Sequence, residues 1–338
     1  MSKKIRVLSI DGGGIRGIIP GVIVSYLEKQ LQKEKGVDTR LSDYFDLLSG
    51  TSTGGILTCT YLVPDQNGRP KYTADQAVDI YLKQGGAIFD INLWQKIKRG
   101  DGLFDEKYSA DALEKALLDY FGDTKLSELI KPCLITSYDI RKRKAMFFNQ
   151  ADATTEIYDF MVKDVARATS AAPTYFEPAH IKSLFGTKYP LVDGGMFANN
   201  PSMCAYSEAR TMKFGDNHHH PTAEDMMIVS ISTGSEAKPY HFDDMKDKGV
   251  IGWIKPIIDI MMSGNSETVD FQLKQIFDAV DNSNDYYRLK PSIYNASPEM
   301  DNASETNLKA LKEAGMQYVS ENSEMLDDIV KKLISYND

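Results

Sequence analysis

The feature that most constrains this chain is a serine flanked by glycines, Gly50-Thr-Ser-Thr-Gly54. An apolar run typical of a buried strand precedes it at residues 45 to 49, and an apolar segment typical of a helix follows it at residues 55 to 63. A serine at a tight strand-to-helix turn presents its hydroxyl clear of the backbone, and the neighbouring glycines leave room for the turn and for a substrate. The pattern therefore predicts an α/β fold in which Ser52 is a nucleophile.

A glycine-rich loop occupies an earlier strand-to-helix connection. A β-rich run at residues 5 to 10 leads into Asp11-Gly-Gly-Gly-Ile-Arg-Gly17, and apolar residues then recur at helical spacing to about residue 33. The N–H groups of such a loop converge on an anion. The spacing Gly12-x-Gly14-x-x-Gly17 formally matches the dinucleotide fingerprint, which predicts a pyrophosphate and an acidic residue after the second strand. Because that strand ends in the serine turn, we favour the oxyanion formed when Ser52 attacks an acyl carbon.

Asp193 has the position expected of the base that activates Ser52. It follows a short predicted strand at residues 188 to 192 and precedes Gly194 and Gly195, which allow a close approach. Burial raises the pKa of a carboxyl group, so Asp193 can accept the serine proton directly. Arg16 is either a fixed positive charge near the oxyanion or a helix-start arginine paired with a surface carboxylate.

The histidines are weaker candidates for this base. Three of them, at residues 218 to 220, lie in a polar connection that we interpret as a surface loop. His180 and His241 are isolated, and neither follows a strand at a turn where an α/β scaffold presents catalytic groups.

Taken together, the segments 11–17, 50–54 and 193–195 resemble the motifs of the patatin-like phospholipases, which are lipid acyl hydrolases. Residues 41 to 46, 170 to 176 and 299 to 305 also resemble patatin segments. The chain departs from plant patatins in having Asp-Gly-Gly where they have Asp-Gly-Ala, and in lacking their secretory signal. The resemblance implies a three-layer α/β/α sandwich with a mostly parallel central sheet, and a reaction that needs no metal or cofactor.

The resemblance also assigns roles to residues of this chain. Ser52 corresponds to the nucleophile and Asp193 to the proton acceptor of a Ser–Asp dyad. The oxyanion hole corresponds to Gly12, Gly13 and Gly14 with support from Arg16, and the turns that carry the dyad depend on Gly50, Gly54, Gly194 and Gly195.

Composition narrows the classes of function. A net charge of −9 argues against a nucleic-acid-binding protein, and a mean hydropathy of −0.35 argues against an integral membrane protein. Three scattered cysteines, Cys59, Cys133 and Cys204, form neither a disulfide framework nor a metal pattern. Without a secretory signal we expect a cytoplasmic protein. We expect one domain over residues 1–338, with core motifs in 5–210 and a part, 225–338, that completes it.

We expect the substrate to be a phospholipid or other acyl lipid, and we expect transient contact with a membrane surface. Two segments are candidates for this contact. Residues 85 to 104 interleave aromatic, aliphatic and basic side chains, which suits a lid or lipid-facing loop, although an ordinary packed connection is favoured. Residues 249 to 264 form the most apolar stretch, for which we favour burial over a membrane-contacting or pocket-lining helix. The alternative functions are a patatin-like enzyme inactive until a partner or cyclic nucleotide binds, and a nucleotide-binding module.

Overall fold

A computed structural model describes residues 3–88, 110–214, 218–234 and 239–337. Within these ranges, eight strands form a central sheet in the order β10-β9-β1-β2-β3-β6-β5, and β4 pairs with β3. A separate pair, β7 with β8, lies outside it. The strands are β1 (Ile5–Ile10), β2 (Leu47–Thr51), β3 (Cys133–Asp139), β4 (Lys144–Asn149), β5 (Ala179–Lys182), β6 (Lys188–Asp193), β7 (Lys213–Phe214), β8 (His218–His219), β9 (Met226–Ile231) and β10 (Tyr286–Leu289).

The sheet has a parallel half and an antiparallel half. Strands β10, β9, β1, β2 and β3 pair in parallel, whereas β4, β6 and β5 join by antiparallel pairing. The connections from β3 to β4 and from β5 to β6 are only a few residues long, and such turns permit antiparallel pairing alone. A mostly parallel sheet is thus found only in the half that carries Ser52.

Helices cover both faces of the sheet. They are α1 (Ile18–Lys35), α2 (Thr53–Leu62), α3 (Ala74–Ile88), α4 (Asp111–Phe121), α5 (Val162–Thr169), α6 (Gly195–Ala198), α7 (Ser202–Ala209), α8 (Phe242–Met245), α9 (Val250–Asp278), α10 (Glu305–Glu321) and α11 (Ser323–Asn337). Alternate residues of β1 enter two cores. Leu8 and Ile10 pack with residues of α1, α2, α10 and α11, while Ile5 and Val7 pack with α7 and α9. This arrangement confirms the α/β/α sandwich.

Several predicted elements differ in their ends. The sequence of residues 158 to 169 is typical of a helix, but the helix begins only at Val162. Asp159 instead accepts hydrogen bonds from the N–H groups of Ser127 and Phe160, at 3.1 and 2.9 Å. The sequence from about residue 303 to residue 336 has the pattern of one amphipathic helix, whereas the structure has two helices that meet at Asn322. The histidine connection contains a short strand, β8, paired with β7.

The start of α7 also differs from the sequence prediction. An asparagine followed by proline, as at residues 200 and 201, predicts an N-cap at Asn200 and Pro201 at the first helical position, but the N-cap is Pro201. Asn200 still supports the helix start, because its side chain accepts a hydrogen bond from the N–H of Ser202 at 3.1 Å.

The expectation that residues 249 to 264 are buried is wrong. They form the first half of α9, and the side chains of Val250, Trp253 and Ile257 are exposed to 86%, 38% and 50%. Of the other segment, residues 85 to 88 belong to α3, and residues 89 to 104 lie outside the described ranges. No described helix is both long and apolar enough to cross a membrane, and the cytoplasmic location stays a prediction.

Candidate active site

Ser52 lies at the turn between β2 and α2 in a strained conformation. Its φ of 55° is in the region that side chains other than glycine rarely adopt, at a cost of about 1–3 kcal/mol. The surroundings hold it there: the Ser52 N–H donates to the Thr169 hydroxyl at 2.8 Å. A Cβ at Gly50 would overlap the backbone of Gly54, and one at Gly54 would overlap the carbonyl of Ile10. Both glycines are therefore needed for the turn.

Asp193 ends β6, and the sheet brings it to Ser52. Asp193 pairs with Ser137 of β3. Strand β3 also pairs with β2, the strand that leads to Ser52. The carboxyl group lies in hydrogen-bonding contact with the Ser52 hydroxyl and accepts the Gly195 N–H at 2.7 Å. Burial raises the pKa of Asp193, the two hydrogen bonds lower it, and the resulting pKa is about 6. A carboxyl with this pKa is ionised at neutral pH and basic enough to accept a proton.

The glycines after Asp193 keep this turn compact. A Cβ at Gly194 would overlap the side chain and backbone of Thr136 on β3, and one at Gly195 would crowd the Asp193 carboxyl at 3.0 Å. The Asp193-Gly-Gly195 sequence therefore fits the close packing of β6 against β3.

The glycine loop faces the same cavity. The cavity is lined by Gly13, Gly14, Ser52 and Asp193 among others. The Gly12 N–H donates to the carbonyl of Asn199 at 3.0 Å and is engaged, which corrects the three-glycine hole expected from the sequence. The N–H groups of Gly13 and Gly14 have no hydrogen-bond partner within the described ranges.

Two side chains fix the orientation of these amides. The Thr233 hydroxyl donates to the Gly12 carbonyl at 2.8 Å, and Arg16 Nε donates to the Gly13 carbonyl at 3.4 Å. In a trans peptide the N–H points away from the C=O, so these bonds turn the N–H groups of Gly13 and Gly14 in the opposite direction. Arg16 also donates to the Gly234 carbonyl at 3.2 Å. It thus holds the loop through backbone carbonyls.

Sequence reasoning missed Arg288. This residue of β10 makes a two-pronged ion pair with Asp11, at 2.8 and 2.6 Å, and both side chains are buried. Arg288 also donates to Ser230 of β9 at 2.9 Å, and Ser266 of α9 donates to Asp11 at 3.4 Å. The start of the glycine loop is thereby tied to three other elements. A charged residue within the otherwise apolar strand was the available signal.

The described histidine side chains take no part in the site. His180 is exposed on β5, His220 and His241 are exposed in connections, and none of the three lines the cavity. Nor do the described residues contain a cluster of His, Cys, Asp and Glu able to hold a metal ion.

Comparisons with known proteins identify the family. The family model of patatin-like phospholipases matches residues 8–206. Patatin-like protein 2 of rice (Oryza sativa) is 33% identical over 96% of this chain and 86% of its own length. Patatin group D-2 of potato (Solanum tuberosum) is 33% identical over 93% of this chain and 84% of its own, and a probable inactive patatin of potato, 3-Kuras 1, is 32% identical over 93% and 86%. The chain therefore belongs to the patatin-like phospholipases, a family of lipid acyl hydrolases.

Proposed function

We propose that the protein hydrolyses fatty-acyl esters of phospholipids or other glycerolipids through a Ser52–Asp193 dyad. The contact between the Ser52 hydroxyl and the Asp193 carboxylate, in a cavity that is also lined by two glycines whose N–H groups have no partner among the described residues, carries the proposal. Asp193 takes the hydroxyl proton as the serine oxygen bonds to the acyl carbon. The negative charge that forms on the carbonyl oxygen is stabilised by the N–H groups of Gly13 and Gly14.

The same residues complete the reaction. When the intermediate collapses, the bond to the leaving alcohol breaks and protonated Asp193 gives that alcohol its proton, which leaves an acyl-serine. Asp193 then takes a proton from water as the water oxygen attacks the acyl carbon, and returns it to Ser52 as the fatty acid leaves. The glycine amides serve both steps because the oxyanion forms at the same place.

The first experiment measures fatty-acid release from phospholipid and labelling by a fluorophosphonate. Ser52→Ala should abolish labelling and lower turnover by about three orders of magnitude or more. His180→Ala, which changes an exposed side chain outside the cavity, is the control and should keep both signals. Turnover unchanged in Ser52→Ala would refute the assignment, and loss in a folded His180→Ala would restore a histidine base.

The nucleotide-binding alternative is disfavoured by the cavity. Apart from the glycine loop and the dyad, its lining is mainly aliphatic and aromatic, including Ile56, Leu113 and Phe176. Such a surface suits an acyl group better than a charged pyrophosphate.

We also propose that the exposed half of α9 is the surface that contacts the membrane. Its exposed apolar residues recur every three or four positions, and comprise Val250, Trp253, Ile254, Ile257, Ile260 and Met261. The same helix contributes Ile258 and Met262 to the cavity, so the apolar surface is continuous with the site. Acidic residues at 243, 244, 247 and 259 offset the lysines at 246, 248 and 255. Insertion of apolar side chains, rather than attraction to anionic lipid, should therefore dominate binding.

Sedimentation with phosphatidylcholine vesicles tests this surface. The double change Ile254→Ser, Ile257→Ser should weaken binding by about tenfold, since each substitution removes partly buried hydrocarbon at the interface. Raising the salt concentration should have little effect. Met316→Ser, an equally exposed position on α10, is the control. Equal loss in the control would contradict the proposal, as would a dimer of the wild type that the double change dissociates.

A further inference from the structure

The cavity beside Ser52 has an outer part and an inner arm of different character. The outer part is lined by half-buried side chains, among them Tyr175, Met196, Ile258 and Met262. The inner arm runs between α2, α3 and α4 and is lined by the buried residues Thr60, Leu113, Ala116, Leu117 and Phe121. One part is therefore near solvent, and the other is enclosed in the core.

The two helices that flank the arm give its length. Ser52 and Thr60 both line the cavity and are eight residues apart along α2, which corresponds to about 12 Å of helix. Leu113 and Phe121 are also eight residues apart, on α4, and give the same span of about 12 Å.

Contacts at its two ends show how α4 lies along the arm. Arg167 Nε is 3.1 Å from Glu114, which places the start of α4 near the end of α5, where Thr169 binds the Ser52 N–H. At the other end, the Tyr72 hydroxyl donates to the Tyr120 carbonyl at 3.0 Å, next to the start of α3. The arm thus begins at Ser52 and ends at Thr60 and Phe121.

Two hydroxyl groups line the arm, and both already donate their hydrogen to a backbone carbonyl. The Thr60 hydroxyl donates to the Ile56 carbonyl at 2.8 Å. The Tyr81 hydroxyl donates to the Thr53 carbonyl at 2.9 Å and accepts from the Thr53 hydroxyl at 2.7 Å. A head group in this space would lose its hydrogen bonds to water without replacement, whereas an alkyl chain would lose none.

We propose that this inner arm binds the alkyl chain of the scissile acyl group and limits its length to about ten carbons. A C–C bond of about 1.5 Å advances an extended chain by roughly 1.3 Å, so about 12 Å accommodates nine or ten carbons. A longer chain must leave its terminal carbons outside or bend. The inference rests on the proposed hydrolase function, because it is Ser52 that places the ester at the mouth of the arm.

The test is the chain-length profile of kcat/KM for p-nitrophenyl butanoate, octanoate, decanoate and palmitate. In the wild type, kcat/KM should rise to about decanoate and fall for palmitate. Leu117→Phe should lower the decanoate-to-butanoate ratio at least tenfold by filling the arm. Leu118→Phe makes the same change one position away, where the side chain is 48% exposed and outside the cavity, and should alter the ratio less than twofold.

Two further variants are included. One replaces Leu117→Phe if that variant does not fold, and the other tests how the preferred chain length depends on the position of the added side chain. Ala116→Leu fills the arm by a smaller addition and replaces Leu117→Phe if the latter does not fold. Ile56→Phe, about 6 Å from Ser52 along α2, should shift the best substrate to a shorter ester than Leu117→Phe does.

A wild type that labels with fluorophosphonate but turns over palmitate as well as decanoate, with a ratio unchanged by Leu117→Phe and Ala116→Leu, overturns the length limit and leaves the hydrolase intact. A wild type that neither labels nor hydrolyses any ester overturns the proposed function instead.

Discussion

Asp11 and Asp193 invite comparison because the sequence presents them alike. Each ends or follows a buried strand, each precedes glycines, and each side chain is almost fully buried. Burial raises the pKa of both carboxyl groups. They differ in their partners. Asp11 accepts hydrogen bonds from both terminal nitrogens of the Arg288 guanidinium, whereas Asp193 contacts one backbone N–H and the hydroxyl of Ser52.

The partners decide what each carboxylate can do. Burial raises the pKa of Asp11 and the charge of Arg288 opposes that effect, while Asp11 in turn raises the pKa of Arg288. Among the residues that the structure describes, no cationic side chain contributes to the pKa of Asp193. The two carboxylates therefore differ in what they contact: Asp11 holds the glycine loop to β10 through an ion pair, whereas Asp193 contacts the Ser52 hydroxyl.

The largest effect should come from Asp193→Asn. The amide keeps the size of the side chain and cannot accept the serine proton, so kcat should fall by about three orders of magnitude or more. Stability at pH 8 should stay equal or increase, because a buried charge without a cationic partner is removed. Turnover of p-nitrophenyl butanoate and urea denaturation measure the two quantities. A variant that is inactive because it is markedly less stable would place Asp193 in the same class as Asp11.

Asp11→Asn should show the opposite balance. It leaves the Arg288 guanidinium buried without its counter-ion, which should lower the free energy of unfolding by about 3–5 kcal/mol. The control is Asp79→Asn, which breaks an exposed pair with Lys83 and should cost less than about 1 kcal/mol. If Asp11→Asn were as stable as the control and lost kcat to the same extent as Asp193→Asn, Asp11 would have a chemical role.

Thr233→Val should have an intermediate effect on catalysis. The valine keeps the shape of the side chain and removes the hydrogen bond that orients the Gly12–Gly13 peptide. Losing one oxyanion donor outright costs about 10²–10³ in kcat, so a misaligned Gly13 N–H should cost roughly tenfold to a hundredfold, with KM little changed. Thr233→Ser keeps the hydroxyl and should recover most of this loss. Equal losses in both variants would mean that packing, not orientation, explains the effect.

Local patterns predicted the dyad because each member occupies a turn that its own glycines encode. Ser52 needs Gly50 and Gly54 beside it, and Asp193 needs Gly194. A pattern of a few neighbouring residues is therefore enough to predict each member of the dyad. The comparisons identify the family but do not test these roles, which stay proposals.

The ion pair between Arg288 and Asp11, which the sequence did not predict, depends on the order of the strands in the sheet. Arg288 reaches Asp11 across 277 positions because β10 and β1 flank β9, and nothing near either residue encodes that neighbourhood. The engagement of the Gly12 N–H by the Asn199 carbonyl likewise joins residues that are far apart in the sequence. The apolar start of α9 was expected in the core because apolar composition reports the preference for burial, but not whether another part of the chain covers it.

The pH dependence of activity and stability is the mildest test of the comparison. Asp193 must be ionised to act as a base, so kcat/KM should be constant above about pH 7 and fall about tenfold by pH 5, following a pKa of about 6. Arg288→Lys keeps a cation beside Asp11 and should leave this inflection in place. An inflection that moved with Arg288 would show that the two carboxylates are coupled.

Stability should change in the opposite direction over the same range. The folded pKa of Asp193, about 6, lies above its unfolded value of 3.8, so the native state holds the proton more tightly. The contribution of Asp193 to the free energy of unfolding should therefore decrease between about pH 4 and pH 6, by up to roughly 3 kcal/mol, and stay constant above. Subtracting the urea-denaturation curve of Asp193→Asn from that of the wild type isolates this contribution. A difference that rises with pH would mean that the folded protein stabilises the Asp193 anion, and would contradict its role as the base.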